Sequence, residues 1–150
     1  MSITVVFFDL GDTLVNSSRQ WLPGAKPLLL TLRQKGFRLG IISNTPGFSS
    51  RAHILKLLPA DFDPSAFDAK LTLFSSEVGK DKPQAAIFLE AVARSGKPAK
   101  ECLYGSENIV ETLMAQEIGM RSIRVQSPPN TDLSMLQQKI QEFQVLIGPA

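Results

Sequence analysis

The stretch VVFFDLGDTLV, residues 5–15, decides the fold. Val5, Val6, Phe7 and Phe8 are apolar without alternation, as expected of a strand buried on both faces in a parallel sheet covered by helices. The run stops on Asp9, and Gly11, Asp12 and Thr13 follow closely. An acid at the carboxyl end of such a strand is held rigidly, and in open α/β sheets ligands bind beyond that end.

Working outward, four more short apolar runs lie at 38–42, 71–74, 102–104 and 122–125, and the first extends back to residue 3. Between them apolar residues recur at helical spacing and stop at breakers. Leu28, Leu29 and Leu32 precede Gly36; Ile54, Leu55 and Leu58 precede Pro59; Phe88, Leu89 and Val92 precede Gly96; Leu113 and Ile118 precede Gly119. Leu133, Leu136 and Ile140 make a last amphipathic stretch. Alternating strands and helices predict a single α/β domain over residues 1–150, a Rossmann-like three-layer sandwich around a central parallel sheet of about five strands.

Composition narrows the function. A chain of 150 residues with 43% hydrophobic content supports one sizeable core, and a net charge of +2 gives no specific argument for nucleic acid. No run approaches the roughly 18 apolar residues of a membrane span. No basic segment and cleavage site mark a signal peptide, and the single cysteine, Cys102, excludes an internal disulfide, so a cytoplasmic location is expected. The single histidine, His53, falls inside a helical stretch, which argues against a Ser-His-Asp triad.

The residues after each apolar run should share one rim. They are Asp9, Gly11, Asp12 and Thr13, then Ser43, Asn44 and Thr45, then Ser75, Ser76 and Glu77 with Lys82 ahead of a helix, and finally Ser106, Glu107 and Asn108. Asp9 can attack phosphorus or hold a divalent cation. Ser43 and Asn44 suit phosphoryl oxygens, Lys82 can offset the charge of nucleophile and phosphate, and the acids after the fourth strand suit an oxygen-rich Mg2+ shell. Each has a plainer reading: Asp9 and Gly11 as turn chemistry, and Lys82 as a solvated lysine.

In order, these pieces resemble the haloacid dehalogenase-like hydrolase superfamily, mostly magnesium-dependent phosphatases. FFDLGDTLV is similar to its first motif, LGIISN to its second, GKDKPQAAIF to its third and LYGSENIVETLMAQEIGM to its fourth. The resemblance implies Asp9 as nucleophile, with Asp9 and Lys82 catalytic. It implies Ser43, Asn44 and Thr13 around the phosphate, and Asp9, the Gly11 carbonyl, Glu107 and Glu111 around Mg2+. Two positions depart from the family pattern. Gly11 stands where an acid–base Asp is usual, and Ser106 stands where a metal-binding Asp is usual, with Glu111 at the later acidic position. Asp12 is displaced by one residue, and alternation along an extended segment should turn it away from the Gly11 side.

The intervals 13–23 and 44–82 are too short for an ordinary cap domain. The resemblance then implies either a large phosphorylated substrate or closure of the site by a second copy, in a homo-oligomer. Two functions stand side by side: a slow or altered magnesium-dependent phosphomonoesterase acting on a phosphorylated small molecule or macromolecule, and a catalytically silent phospho-ligand or protein-binding domain of the same fold.

Overall fold

The computed structural model describes residues 2–45 and 50–146, with side chains to residue 142. Five parallel strands, β1 (Val5–Phe8), β2 (Arg38–Ser43), β3 (Thr72–Phe74), β4 (Cys102–Ser106) and β5 (Arg121–Arg124), form one sheet in the order β3-β2-β1-β4-β5. The helices are α1 (Ala25–Gln34), α2 (Arg51–Lys56), α3 (Ser75–Val78), α4 (Ala85–Ser95), α5 (Ile109–Glu117) and α6 (Leu136–Leu146), with single 3-10 turns at Pro64–Ala66, Ala69–Leu71 and Ala99–Glu101. The expected three-layer α/β sandwich is observed.

Side chains alternate across the sheet. Val6, Phe8, Leu39, Ile41 and Leu103 pack on the side of α1 and α6. Val5, Phe7, Ile42, Leu73, Cys102 and Tyr104 pack on the opposite side, with Ile87, Phe88 and Ala91 of α4 and Ala115 of α5. Phe7 lies so close to β2 that a Cβ on Gly40 would stand 2.5 Å from its ring and 2.7 Å from the Leu71 carbonyl, so only glycine fits there.

Pairing lengthens two strands beyond their apolar runs. β2 includes Ser43, paired with Phe74, and β4 includes Ser106, paired with Arg124. Leu71 is drawn instead into a 3-10 turn, where its N–H bonds to the Asp68 carbonyl. From β1 the chain steps outward to β2 and β3, then crosses back to β4 on the other side of β1. The reversal puts a crevice at the carboxyl ends of β1 and β4.

The interval from Thr13 to Pro23 is a self-paired loop with bridges from Val15 to Gly11 and Trp21. Among the described residues, the interval from Asn44 to Lys82 holds only α2, two 3-10 turns, β3 and α3. No described helix is long and apolar enough to cross a membrane.

Candidate functional site

Alternation continues past the apolar residues and assembles the site. Val5 and Phe7 face α4 and α5, and so does the next residue in that series, Asp9; Cys102 and Tyr104 lead in the same way to Ser106. Lys82, just ahead of α4, and Glu111, in the first turn of α5, reach the same place from the covering helices.

There Lys82 Nζ stands 2.9 Å from Asp9 Oδ1 and 2.8 Å from Glu111 Oε1, with its side chain 2% exposed. It also donates to Tyr104 Oη at 3.0 Å, and Tyr104 donates onward to Glu111 Oε1 at 2.7 Å. The solvated-lysine reading therefore fails, because Lys82 is the buried centre of a charge network. Tyr104 is a member that the sequence reading missed. Its ring packs edge-on against Phe88 at 5.1 Å, so one residue joins the core to the polar cluster.

Asp9 Oδ1 also accepts from the Leu10 N–H at 2.8 Å. Among the described residues its other oxygen, Oδ2, meets only the Ser106 hydroxyl, at the long distance of 3.5 Å, and is the freer one. Burial raises the Asp9 pKa, and the nearby Lys82 only partly offsets that. Burial, with the Glu111 and Asp9 charges beside it, drives the Tyr104 hydroxyl well above its ordinary value, so it stays a proton donor. Glu107 is raised first by burial and then by the negative charges of Asp9, Asp12 and Glu111.

The other expected residues divide. Ser43 is buried, and its hydroxyl has only a 3.5 Å contact to the Asn44 carbonyl, which leaves it available to a ligand. Asn44 is committed elsewhere: its Oδ1 accepts from Lys82 N at 2.8 Å and its Nδ2 donates to Lys82 O at 3.0 Å, clamping the lysine's main chain. Thr13 is fully buried, and its Oγ1 accepts from Glu107 N at 3.1 Å, tying the β1 loop to the β4 loop. Both side chains thus hold the loops of the site in place. Glu111 Oε1 is taken by Lys82, Tyr104 and Ser106, the last at 3.4 Å. The longer side chain carries its carboxylate onto the lysine.

Asp12 departs from the alternation argument. It adopts a left-handed conformation, φ 61, which an Asp tolerates, so successive side chains no longer point to opposite sides. It therefore lines the same cleft as Gly11, Ser43, Asn44 and Thr45, an opening of about 440 Å³ beside the rim. Gly11 has an ordinary negative φ, and a Cβ there would meet nothing within 4 Å.

The donor set around Asp9 has the chemistry of a Mg2+ site. Asp9 Oδ2, the Gly11 carbonyl, the Ser106 hydroxyl and Glu107 are all hard oxygens with no sulfur or imidazole, and two buried carboxylates face one lysine. No group of three or more His, Cys, Asp or Glu among the described residues is arranged around a metal. Hard oxygens of this kind suit Mg2+, which is held through one or two carboxylates together with waters and substrate phosphate.

A sequence profile of the haloacid dehalogenase-like hydrolases matches residues 17–119, and the chain belongs to that family. It is 36% identical over 106 residues to the glyceraldehyde 3-phosphate phosphatase of Methanothermobacter thermautotrophicus, a match covering 70% of this chain and 44% of that protein. The chain spans less than half the length of that relative. Its fold is similar to that of a HAD phosphatase from Thermococcus onnurineus, with a TM-score of 0.73, 16% identity, and 93% and 98% of the two chains covered. It is similar also to a HAD family enzyme from Bacteroides thetaiotaomicron, solved in complex with magnesium and inorganic phosphate, at a TM-score of 0.68, 16% identity, and 90% and 99% coverage.

Proposed function

We propose that this haloacid dehalogenase-like hydrolase is a phosphomonoesterase that forms an aspartyl-phosphate on Asp9. The observation that carries the reading is the buried Lys82–Asp9 pair at the β1–β4 crevice. It fixes Oδ1 and leaves Oδ2 as the freer oxygen, beside the cleft that holds the Ser43 hydroxyl. The phosphatase activity named for the Methanothermobacter relative supports it.

In the first step Oδ2 attacks phosphorus. The bond from phosphorus to the ester oxygen breaks, and its electron pair leaves with that oxygen, which takes a proton from solvent water. In the second step a water oxygen attacks phosphorus and gives up its proton to solvent. The bond from phosphorus to Oδ2 breaks, and phosphate and the Asp9 carboxylate are released. Lys82 holds Asp9 in place and balances its charge, and Ser43 donates to a phosphoryl oxygen. Asp9, the Gly11 carbonyl, Ser106 and Glu107 would hold Mg2+, which supplies positive charge against the repulsion between carboxylates and phosphoryl oxygens.

Hydrolysis of phenyl phosphate tests the reading. Turnover should need magnesium and fall to background in Asp9→Asn. Activity that survives that change, or that ignores a chelator, would overturn it. A silent phospho-ligand-binding domain is the second reading, favoured by Gly11 and Ser106; tungstate binding without turnover would establish it.

A further inference from the structure

The loop between β1 and α1 folds into a compact tip. Asn16 Oδ1 accepts from the N–H groups of Ser18 and Gln20, both at 3.0 Å, and Asn16 N–H donates to the Gln20 carbonyl at 2.9 Å. At this tip Arg19 adopts a left-handed conformation, φ 62. Arginine lacks the short polar side chain that eases Asp or Asn into that region, so the conformation is held at a cost by its surroundings.

The conformation sets the guanidinium in the wall of the 440 Å³ cleft. Nε donates to the Leu58 carbonyl at 3.2 Å, and the two terminal nitrogens have no hydrogen bond or ion pair to any described residue. Arg19 is the one cation among the described residues that line the cleft. The same cleft carries apolar surface from Val15, Ile54, Leu57 and Leu58, along with the polar Asn16 and Ser17 and the acid Asp12. Leu57 is 49% exposed, so apolar surface stands open to solvent there. The volume is in the range of small-molecule sites, where an apolar lining with a few placed polar groups fixes orientation.

We propose that this cleft takes the leaving group of a phosphomonoester whose alcohol carries a second oxyanion, carboxylate or phosphate, across an apolar spacer. The spacer lies against Leu57 and Leu58, and the oxyanion pairs with the two free terminal nitrogens of Arg19, whose planar fork matches it. The inference rests on the phosphomonoesterase reading for the position of the reacting phosphate. It adds the class of substrate.

Calorimetry with non-hydrolysable probes separates the two claims. The probes are benzylphosphonate, 4-carboxybenzylphosphonate and 1,4-phenylenebis(methylphosphonate), each titrated into the full chain with magnesium present. At least one of the two probes with a second oxyanion should bind about ten-fold tighter than benzylphosphonate, the scale of one charge-assisted contact near the surface. The tighter of the two identifies the oxyanion. The preference should fall to within about two-fold in Arg19→Met and be partly kept in Arg19→Lys. Equal affinity for all three probes, no binding of any, or a preference that survives Arg19→Met would overturn the inference. Asp9-dependent hydrolysis of phenyl phosphate is read independently, so either claim can fail while the other stands.

Discussion

Two ion pairs sit at opposite ends of the same sheet. At the carboxyl rim Lys82 Nζ is 2.9 Å from Asp9; at the amino edge of β2, Arg38 Nη2 is also 2.9 Å from Asp68. The distances match, yet the acids shift in opposite directions. Hydrogen bonding from Arg38 lowers Asp68, whereas burial raises Asp9 in spite of its lysine. The difference is solvation. The Lys82 and Asp9 side chains are 2% and 10% exposed, against 37% and 33% for Arg38 and Asp68. A pair near water gains a little from its charge, while a buried pair carries a desolvation penalty that attraction does not fully offset. Such a pair is poor evidence of stability and good evidence of a site.

The largest effect should come from breaking the buried pair on its cationic side. Lys82→Ala leaves Asp9 and Glu111 facing each other with no cation, and removing one partner of a buried pair costs about 3–5 kcal/mol. In a chain of this length that lowers Tm by roughly 10 °C. A solvated lysine would give a change within about 0.5 kcal/mol, so a small loss by chemical denaturation would contradict the burial described here.

Restoring the family's carboxylates tests the other half of the comparison. The double change Gly11→Asp and Ser106→Asp should raise turnover of phenyl phosphate on the order of 10²-fold, the usual worth of a positioned acid–base. Gly11 permits it, with a negative φ and open space around a Cβ. Ser106 is fully buried between Asp9 and Glu111, so a carboxylate there adds repulsion. The double variant should therefore melt lower than wild type in chelator and recover with magnesium. A folded variant with no gain in rate or in magnesium response would remove the degraded-motif explanation.

Most of the fold was legible because it rests on patterns one element long. Five apolar runs and the breakers between them located all five strands. The sheet order depends on long-range pairing, which local patterns do not carry. Pairing also decides why β2 and β4 run on through Ser43 and Ser106. Within the site, Asp9, Ser43 and Lys82 were legible as strand-end and helix-start residues; the structure pairs Lys82 with Asp9, and Ser43 ends β2 in the wall of the adjoining cleft. The same alternation that buries Tyr104 could have placed it two residues before Ser106, beside the lysine. Asn44 is expected at the phosphate because an amide suits its oxygens, and Thr13 because the family resemblance implies it. Nothing local shows that Asn44 also clamps the Lys82 main chain, or that the Thr13 oxygen also accepts from the Glu107 N–H. The left-handed φ of Asp12 interrupts the extended alternation, a backbone fact that residue type alone does not specify.

The smallest effect, and the sharpest for the comparison, is in the pH dependence of the two acids. Asp68 has a lowered folded-state pKa, so its contribution is present above the ordinary value of 3.8 and is lost as pH falls through the lowered one. Both partners are about a third exposed and water screens them, so Asp68→Asn should cost only about 0.5–1 kcal/mol at pH 7, shrinking as pH falls below 3.8 through the lowered value. Asp9 runs the other way. Its raised pKa means that the folded state binds the proton more tightly, so its contribution is full below 3.8 and is lost as pH rises through the raised value. Asn mimics the neutral acid, and Asp9→Asn should therefore gain stability relative to wild type as pH rises from 3 to 7. Urea titrations of the two variants across that range should give difference curves of opposite slope. Curves of the same slope would mean that the two carboxylates share one kind of environment, and that the carboxyl rim is no more desolvated than the amino edge.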